Sequence, residues 1–250
     1  MTDGELAHDI ASEAGALLLA LRQRGDCTGK ALGDRGDREA NELILARLYA
    51  ARPSDFVLSE ESRDDPGRCA ASRVWIVDPL DGTREYAEGR DDWAVHVALA
   101  IDGRPATGAV AIPSRNRVYA SDRPTQQPLA AAPHPRLVVS RSRCPDLAVQ
   151  VAERLGAETI AMGSAGAKAM AVVDGRADLY LHDGGQYEWD NCAPAAVALA
   201  AGLHASRIDG ASLVYNCENP LLPDLLICRR ELAKPALAAI RAVTTSSRQR

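Results

Sequence analysis

The 250-residue sequence predicts an α/β layer structure in two lobes, from three observations. Strand and helix patterns alternate from residue 137 onward. Two amphipathic helices and then a dense set of strand patterns fill the first half. Between the halves, residues 123–135 (RPTQQPLAAAPHP) hold four of the fourteen prolines and no periodic apolar pattern, which sets the lobes at 1–135 and 136–250.

Thr2-Asp3-Gly4-Glu5 reads as a capping box, and Leu6, Ile10, Ala14, Leu17, Leu18 and Leu21 mark one apolar face of a first helix before Gly25. A second helix is expected from about Asp37 to Ala50, with Ala40, Leu43, Ile44 and Leu48 facing inward. Phe56–Ser59 is a short strand that ends on Glu60-Glu61. Strands follow at 73–78, 93–101 and 107–112, with a further one at 116–120. Beyond the boundary come strand 137–140, helix 146–155, strand 158–162, helix 164–174 and strand 177–182. A helix near 191–201, strands 203–207 and 224–228, and a helix near 231–243 complete the series, with a frayed tail TTSSRQR. There is no internal repeat.

Composition excludes several classes. A formal charge of −5 argues against a nucleic-acid polymer as partner. The uncharged run Cys192 to His204 is too short to span a membrane and is broken by Pro194. Acidic residues at 3, 5 and 9 do not suit a secretory leader, so the six cysteines, which form no CxxC pair, are expected as free thiols in the cytoplasm. Of the 29 basic residues, Lys30, Lys168 and Lys234 are the only lysines.

DPLDGTREY (78–86) follows the apolar run Val74–Val77. Taken alone, Asp-Pro-Leu-Asp-Gly is a turn. Its Asp-x-x-Asp-Gly-Thr spacing is one residue longer than the Asp-x-Asp-x-Thr of aspartyl-nucleophile phosphatases. A three-residue step around Pro79 sets the carboxylates of Asp78 and Asp81 and the Leu80 carbonyl together, hard oxygen ligands of the kind Mg²⁺ takes. Glu60-Glu61 closes the preceding strand as Asp78 closes its own, so neighbouring strands would bring these acids to one edge. The competing reading of Glu60-Glu61 is a solvated acidic loop continued by Arg63-Asp64-Asp65.

LSEES (58–62), WIVDPLDGT (75–83) and EWDNCAPAAVALAAG (188–202) occur in that order. Together they resemble the three signature segments of the Mg²⁺- and Li⁺-responsive inositol monophosphatase superfamily, over roughly residues 37–210. The resemblance implies an α/β/α/β/α sandwich, two or three Mg²⁺ ions per site, and Glu60, Asp78, Asp81, Asp190 and the Leu80 carbonyl as metal ligands. It implies that Thr83 orients the attacking water, with Asp37 hydrogen-bonded to Thr83 and Glu61 beside them. Asp37 also reads as the N-cap of the second helix. The amides of Gly82 and Thr83, at a helix start, are a natural cradle for phosphate oxygens. None of the five histidines is needed by this scheme.

Arg84-Glu85-Tyr86, the CAP of WDNCAP and SAGAK (164–168) are similar to the branch that hydrolyses 3'-phosphoadenosine 5'-phosphate, the CysQ-type bisphosphate nucleotidases. That likeness implies substrate contacts at Ser140, Arg141, Ser164, Lys168 and Asp190, and a place in sulfur metabolism. Lys168 suggests a point charge for a second phosphate, against the alternative of a helix-surface lysine. Inositol 1-phosphate and fructose 1,6-bisphosphate are the alternative substrates, and a non-catalytic nucleotide sensor is the rival class. Lithium inhibition and a homodimer would suit the family. With aromatics at 4%, no ring that stacks adenine can be named from sequence.

Overall fold

The computed structural model describes residues 1–125, 134–142 and 145–247. Helix α1 (Asp3–Arg24) starts on the expected capping box, in which the Thr2 amide donates to Glu5 and the Glu5 amide to Thr2 Oγ1. Gly25, at φ 67°, ends it in the left-handed conformation that glycine adopts without strain.

Helix α2 (Gly29–Ala51) begins eight residues earlier than expected, so Asp37 lies inside the helix and is not its N-cap. Glycine lowers helix propensity, which is why the sequence reads as non-helical ahead of Asp37. Here the glycines are needed for close packing. A Cβ on Gly33 would stand 2.7 Å from Thr83 Cγ2, and one on Gly36 3.0 to 3.1 Å from Leu18, Leu80 and Tyr86. That contact seats α2 against the DGT segment.

Five strands form the first sheet in sequential order: β1 (Phe56–Ser59), β2 (Arg73–Asp81), β3 (Ala94–Ile101), β4 (Arg104–Ile112) and β5 (Arg117–Ala120). β1 and β2 pair in parallel, Ser59 opposite Val77, so Glu60 and Asp78 leave the sheet at the same edge. β2 does not stop at Asp78. It runs on to Asp81 through a register shift against β3, which re-aims the strand end. The short helix α3 (Thr83–Ala87) follows, with Gly82 at φ 90° between them.

The second sheet has the order β7-β6-β8-β10-β9. Its strands are β6 (Arg136–Ser140), β7 (Glu158–Met162), β8 (Leu179–Tyr187), β9 (His204–Ser206) and β10 (Leu221–Cys228). The helices of this half are α4 (Asp146–Leu155), α5 (Ala165–Val173), α6 (Glu188–Ala200) and α7 (Arg230–Ser247). β8, α6 and β10 are longer than the sequence suggests, and the tail is helical through Ser247. Most of the proline-rich boundary, 126–133, lies outside the described residues.

Strand alternation sorts the core into layers. Trp75, Val77, Val95, Val97 and Leu99 face α1 and α2, while Val74, Ile76, Ala98 and Ala100 face α5 and α6. Val138, Tyr180, Leu225 and Ile227 close that central layer from the second sheet. Leu137, Val139, Leu179, Leu181 and Leu226 pack outward on α4 and α7. The result is the α/β/α/β/α order that the sequence resemblance implies.

Candidate active site

The acids converge where β2, α3, α5 and α6 meet. One carboxylate oxygen from each of Asp78, Asp81 and Asp190 lies within 4.8 Å of the others, with Asp78 and Asp81 buried. Asp78 Oδ1 accepts the Leu80 amide at 3.0 Å, which folds the bulge around its own carboxylate. Asp190 comes from the first turn of α6, where Oδ2 accepts the Tyr187 amide at 2.5 Å. Four residues on, Pro194 has no amide to offer the Asp190 carbonyl.

Asp81 is the most restrained of the three. Its Oδ1 accepts the Ala165 amide at 3.1 Å and its Oδ2 the Gly166 amide at 2.6 Å, both at the N-terminal end of α5. His96 on β3, fully buried, places Nε2 3.2 Å from Asp81 Oδ2, a charge contact without good hydrogen-bond alignment. Its Nδ1 faces the Trp189 carbonyl at 3.0 Å. His96 therefore links Asp81 to the backbone just before Asp190. The scheme drawn from the sequence gave no histidine a part, yet a signal was present: His96 is the one polar residue in the run Trp93–Ile101.

The electrostatics follow from crowding. Burial first, then the charges of Glu60, Asp81 and Asp190, push the Asp78 carboxyl well above its ordinary range. Burial and the Asp81 charge raise Asp190 to about 6. Glu60, on the rim, is raised to about 7 by desolvation and by Asp190, Asp37 and Asp81. Burial opposes ionisation of Asp81 as well, but His96 and the Gly166 amide outweigh it and hold the carboxyl below normal. A pocket with this much uncompensated carboxylate fits a divalent cation, and its donors are all hard oxygens. Asp78, Asp81 and Asp190 could hold the metal, with Glu60 at the rim.

Thr83 stands beside this cluster. Its Oγ1 lies 3.1 Å from the Leu80 carbonyl and 3.3 Å from Asp37 Oδ1. The hydroxyl has one proton, so it donates to one of the two at a time. Burial first, then the Glu61 charge, lift Asp37 to about 7. Glu61, exposed, thus acts on Asp37 by charge.

The residues expected to meet substrate have partners within the protein. Ser164 caps α5 by accepting the Ala167 amide at 2.9 Å. The buried Lys168 ammonium donates to the carbonyls of Gly163 and Ser164 and lies over the Tyr180 ring. Arg141, one residue beyond Ser140 at the end of β6, pairs with Glu85 at 2.8 Å and Glu88 at 3.0 Å. Tyr86 donates to the Leu18 carbonyl, so Glu85 and Tyr86 of the REY segment tie α3 to its surroundings. A Cβ on Gly82 would meet Ser164 Cβ at 2.9 Å, which fixes how closely α3 approaches α5.

The chain is similar to known proteins over nearly its whole length. The model of the inositol monophosphatase family matches residues 6–245. The 3'-phosphoadenosine 5'-phosphate phosphatase of Mycobacterium leprae is 52% identical over 97% of this chain and 95% of its own length. The 3'(2'),5'-bisphosphate nucleotidase CysQ of Escherichia coli is 35% identical over 72% of this chain and 77% of its own. Among solved structures, CysQ from Bacteroides thetaiotaomicron superposes with a TM-score of 0.77 at 27% identity, covering 91% of this chain and 97% of that one. SuhB of Mycobacterium tuberculosis, at 23% identity and a TM-score of 0.74, covers 96% of this chain and 95% of its own and shares the fold. On the match over nearly its whole length, the chain belongs to the inositol monophosphatase family.

Proposed function

We propose that the protein is a Mg²⁺-dependent phosphatase that removes the 3'-phosphate of 3'-phosphoadenosine 5'-phosphate to leave AMP, and acts likewise on its sulfated form, in cytoplasmic sulfur metabolism. The observation that carries the reading is the carboxylate cluster of Asp78, Asp81 and Asp190 beside a Thr83–Asp37 pair. The 52% identity to a phosphatase named for that substrate supports the choice of nucleotide.

Asp78, Asp81 and Asp190, with Glu60 and the Leu80 carbonyl, would hold two or three Mg²⁺ ions. When bound, such ions acidify water and offset the charge that gathers on the oxygens of the transferring phosphoryl group. The chain's own part is positional. Thr83 Oγ1 donates to Asp37, which leaves its lone pairs to accept from the attacking water and draw off its proton. Asp37, at about 7, is well placed to receive a proton near neutral pH. The Gly82 and Thr83 amides would meet phosphate oxygens, and Ser140, Arg141, Ser164 and Lys168 would line the far side of the substrate. Arg141 would exchange part of its pairing with Glu85 and Glu88 for phosphate.

Phosphate release measured with Mg²⁺ on 3'-phosphoadenosine 5'-phosphate, inositol 1-phosphate and fructose 1,6-bisphosphate tests this. A lead of about a hundredfold in kcat/KM for the nucleotide, roughly 2.7 kcal/mol of discrimination, is expected. Equal rates on all three would remove the nucleotide assignment.

A further inference from the structure

Recognition of a purine base needs a flat apolar surface, and the aromatic inventory narrows where one can be. The chain has ten aromatic residues: three Trp, six Tyr and one Phe. Trp75, Trp93, Tyr86, Tyr119, Tyr180 and Tyr215 are fully buried. Phe56 packs, partly buried, against the central core. Tyr49 is exposed but sits near the C-terminal end of α2, twelve residues and about 18 Å of helix beyond Asp37. That leaves Tyr187 and Trp189.

These two rings are stacked, with centroids 4.7 Å apart and planes 4° from parallel. Trp189 is half-buried against the core, while Tyr187 is 42% exposed. One face of the Tyr187 ring is thus covered by indole, and its other face is not used inside the stack. The Tyr187 amide donates to the carboxylate of Asp190, and the Trp189 carbonyl faces His96. The pair therefore grows from the same backbone that carries a candidate metal ligand. Just upstream, Gly184 and Gly185 are both at positive φ and carry no side chain.

We infer that Tyr187, backed by Trp189, is a stacking wall for the purine base of the substrate, and so determines specificity for a nucleotide over a base-free phosphate ester. The inference rests on the reading that the substrate is a nucleotide bisphosphate. In such a substrate the base and the scissile 3'-phosphate share one furanose. A group that reads the base while Asp190 holds the metal side must then stand close to Asp190, and the Tyr187 backbone is hydrogen-bonded to the Asp190 carboxylate. Stacking needs only a π-face, so no hydrogen-bonding side chain is required of the wall.

The experiment compares adenosine 3',5'-bisphosphate with its abasic analogue, 1-O-methylribose 3,5-bisphosphate, on wild type, Tyr187→Ala, Tyr187→Leu and Tyr187→Trp. Stacking on an aromatic ring is worth enough that Tyr187→Ala should raise KM for the nucleotide about tenfold. Tyr187→Leu, which keeps apolar bulk without a ring, should do nearly the same. Tyr187→Trp should restore the wild-type KM, and kinetics on the abasic compound should not change in any variant. Equal losses on both substrates would overturn the proposal in favour of a structural role. An unchanged nucleotide KM would overturn it too. Wild type acting on inositol 1-phosphate and on neither bisphosphate would instead overturn the nucleotide reading, and this proposal with it.

Discussion

Thr83 and Asp37 are 46 residues apart in sequence and 3.3 Å apart in space, and the proposed chemistry depends on that meeting. Asp37→Asn keeps an acceptor for the Thr83 hydroxyl but cannot take its proton, so kcat should fall by about a hundredfold or more while substrate KM stays close to wild type. Steady-state kinetics with saturating Mg²⁺ check this. Asp78→Asn or Asp81→Asn should abolish metal-dependent turnover and leave the circular dichroism spectrum unchanged; an undiminished rate in either would remove these residues from the metal site. His96→Phe fills the same volume but gives up both contacts, to Asp81 and to the Trp189 carbonyl. The Mg²⁺ concentration for half-maximal activity should rise, and calorimetric titration of the metal-free protein with Mg²⁺ should show weaker binding. The acids were legible as residues because hard-oxygen chemistry restricts the choice to Asp and Glu. His96 was not, because a buried histidine on an apolar strand gains meaning only from what faces it.

At the scale of elements, the site depends on close approach of backbone. The N-terminal end of α5 reaches Asp81 because Gly166 has no side chain: a Cβ there would lie 2.2 Å from His96 Nε2 and 3.2 Å from Asp81 Oδ2. Gly166→Ala should cost about 1–3 kcal/mol of stability as His96 or α5 gives way. It should also weaken Mg²⁺ binding, which urea unfolding and calorimetry would show separately. A loss of stability with metal affinity intact would mean that α5 adapts without moving Asp81. The same packing explains the misplaced start of α2. Propensity sees Gly33 and Gly36 as breaks, whereas the tertiary structure uses them to bring the helix against Thr83 and Tyr86. Strand β2 likewise outruns its pattern, because a bulge at Pro79 has no periodic signature.

For the whole molecule, the cluster is a stability cost that a bound metal would offset. Asp37 and Glu60 are raised to about 7 and Asp190 to about 6, against roughly 4 for these groups in the unfolded chain. Between pH 4 and 7 the folded metal-free protein therefore binds more protons than the unfolded one, and its stability falls as pH rises through that window. Thermal melts in chelator should give a higher Tm near pH 5 than near pH 8, and Mg²⁺ should raise Tm most at the alkaline end, where the carboxylates are free to bind it. A flat chelator profile would mean that the acids are less crowded than the structure shows. By itself the sequence determined the layer class and the order of nearly every element, and through the family resemblance it pointed to the acids that cluster, Asp78, Asp81 and Asp190. The first two follow from local periodicity, which a linear pattern retains. Only the tertiary structure decided that β1 and β2 end at one edge and that α5 and His96 hold Asp81. It alone buried six of the ten aromatic rings against partners elsewhere in the chain and left Tyr187 exposed. Such facts are distances between segments far apart in the chain, and they exist only once sheets and helices have packed.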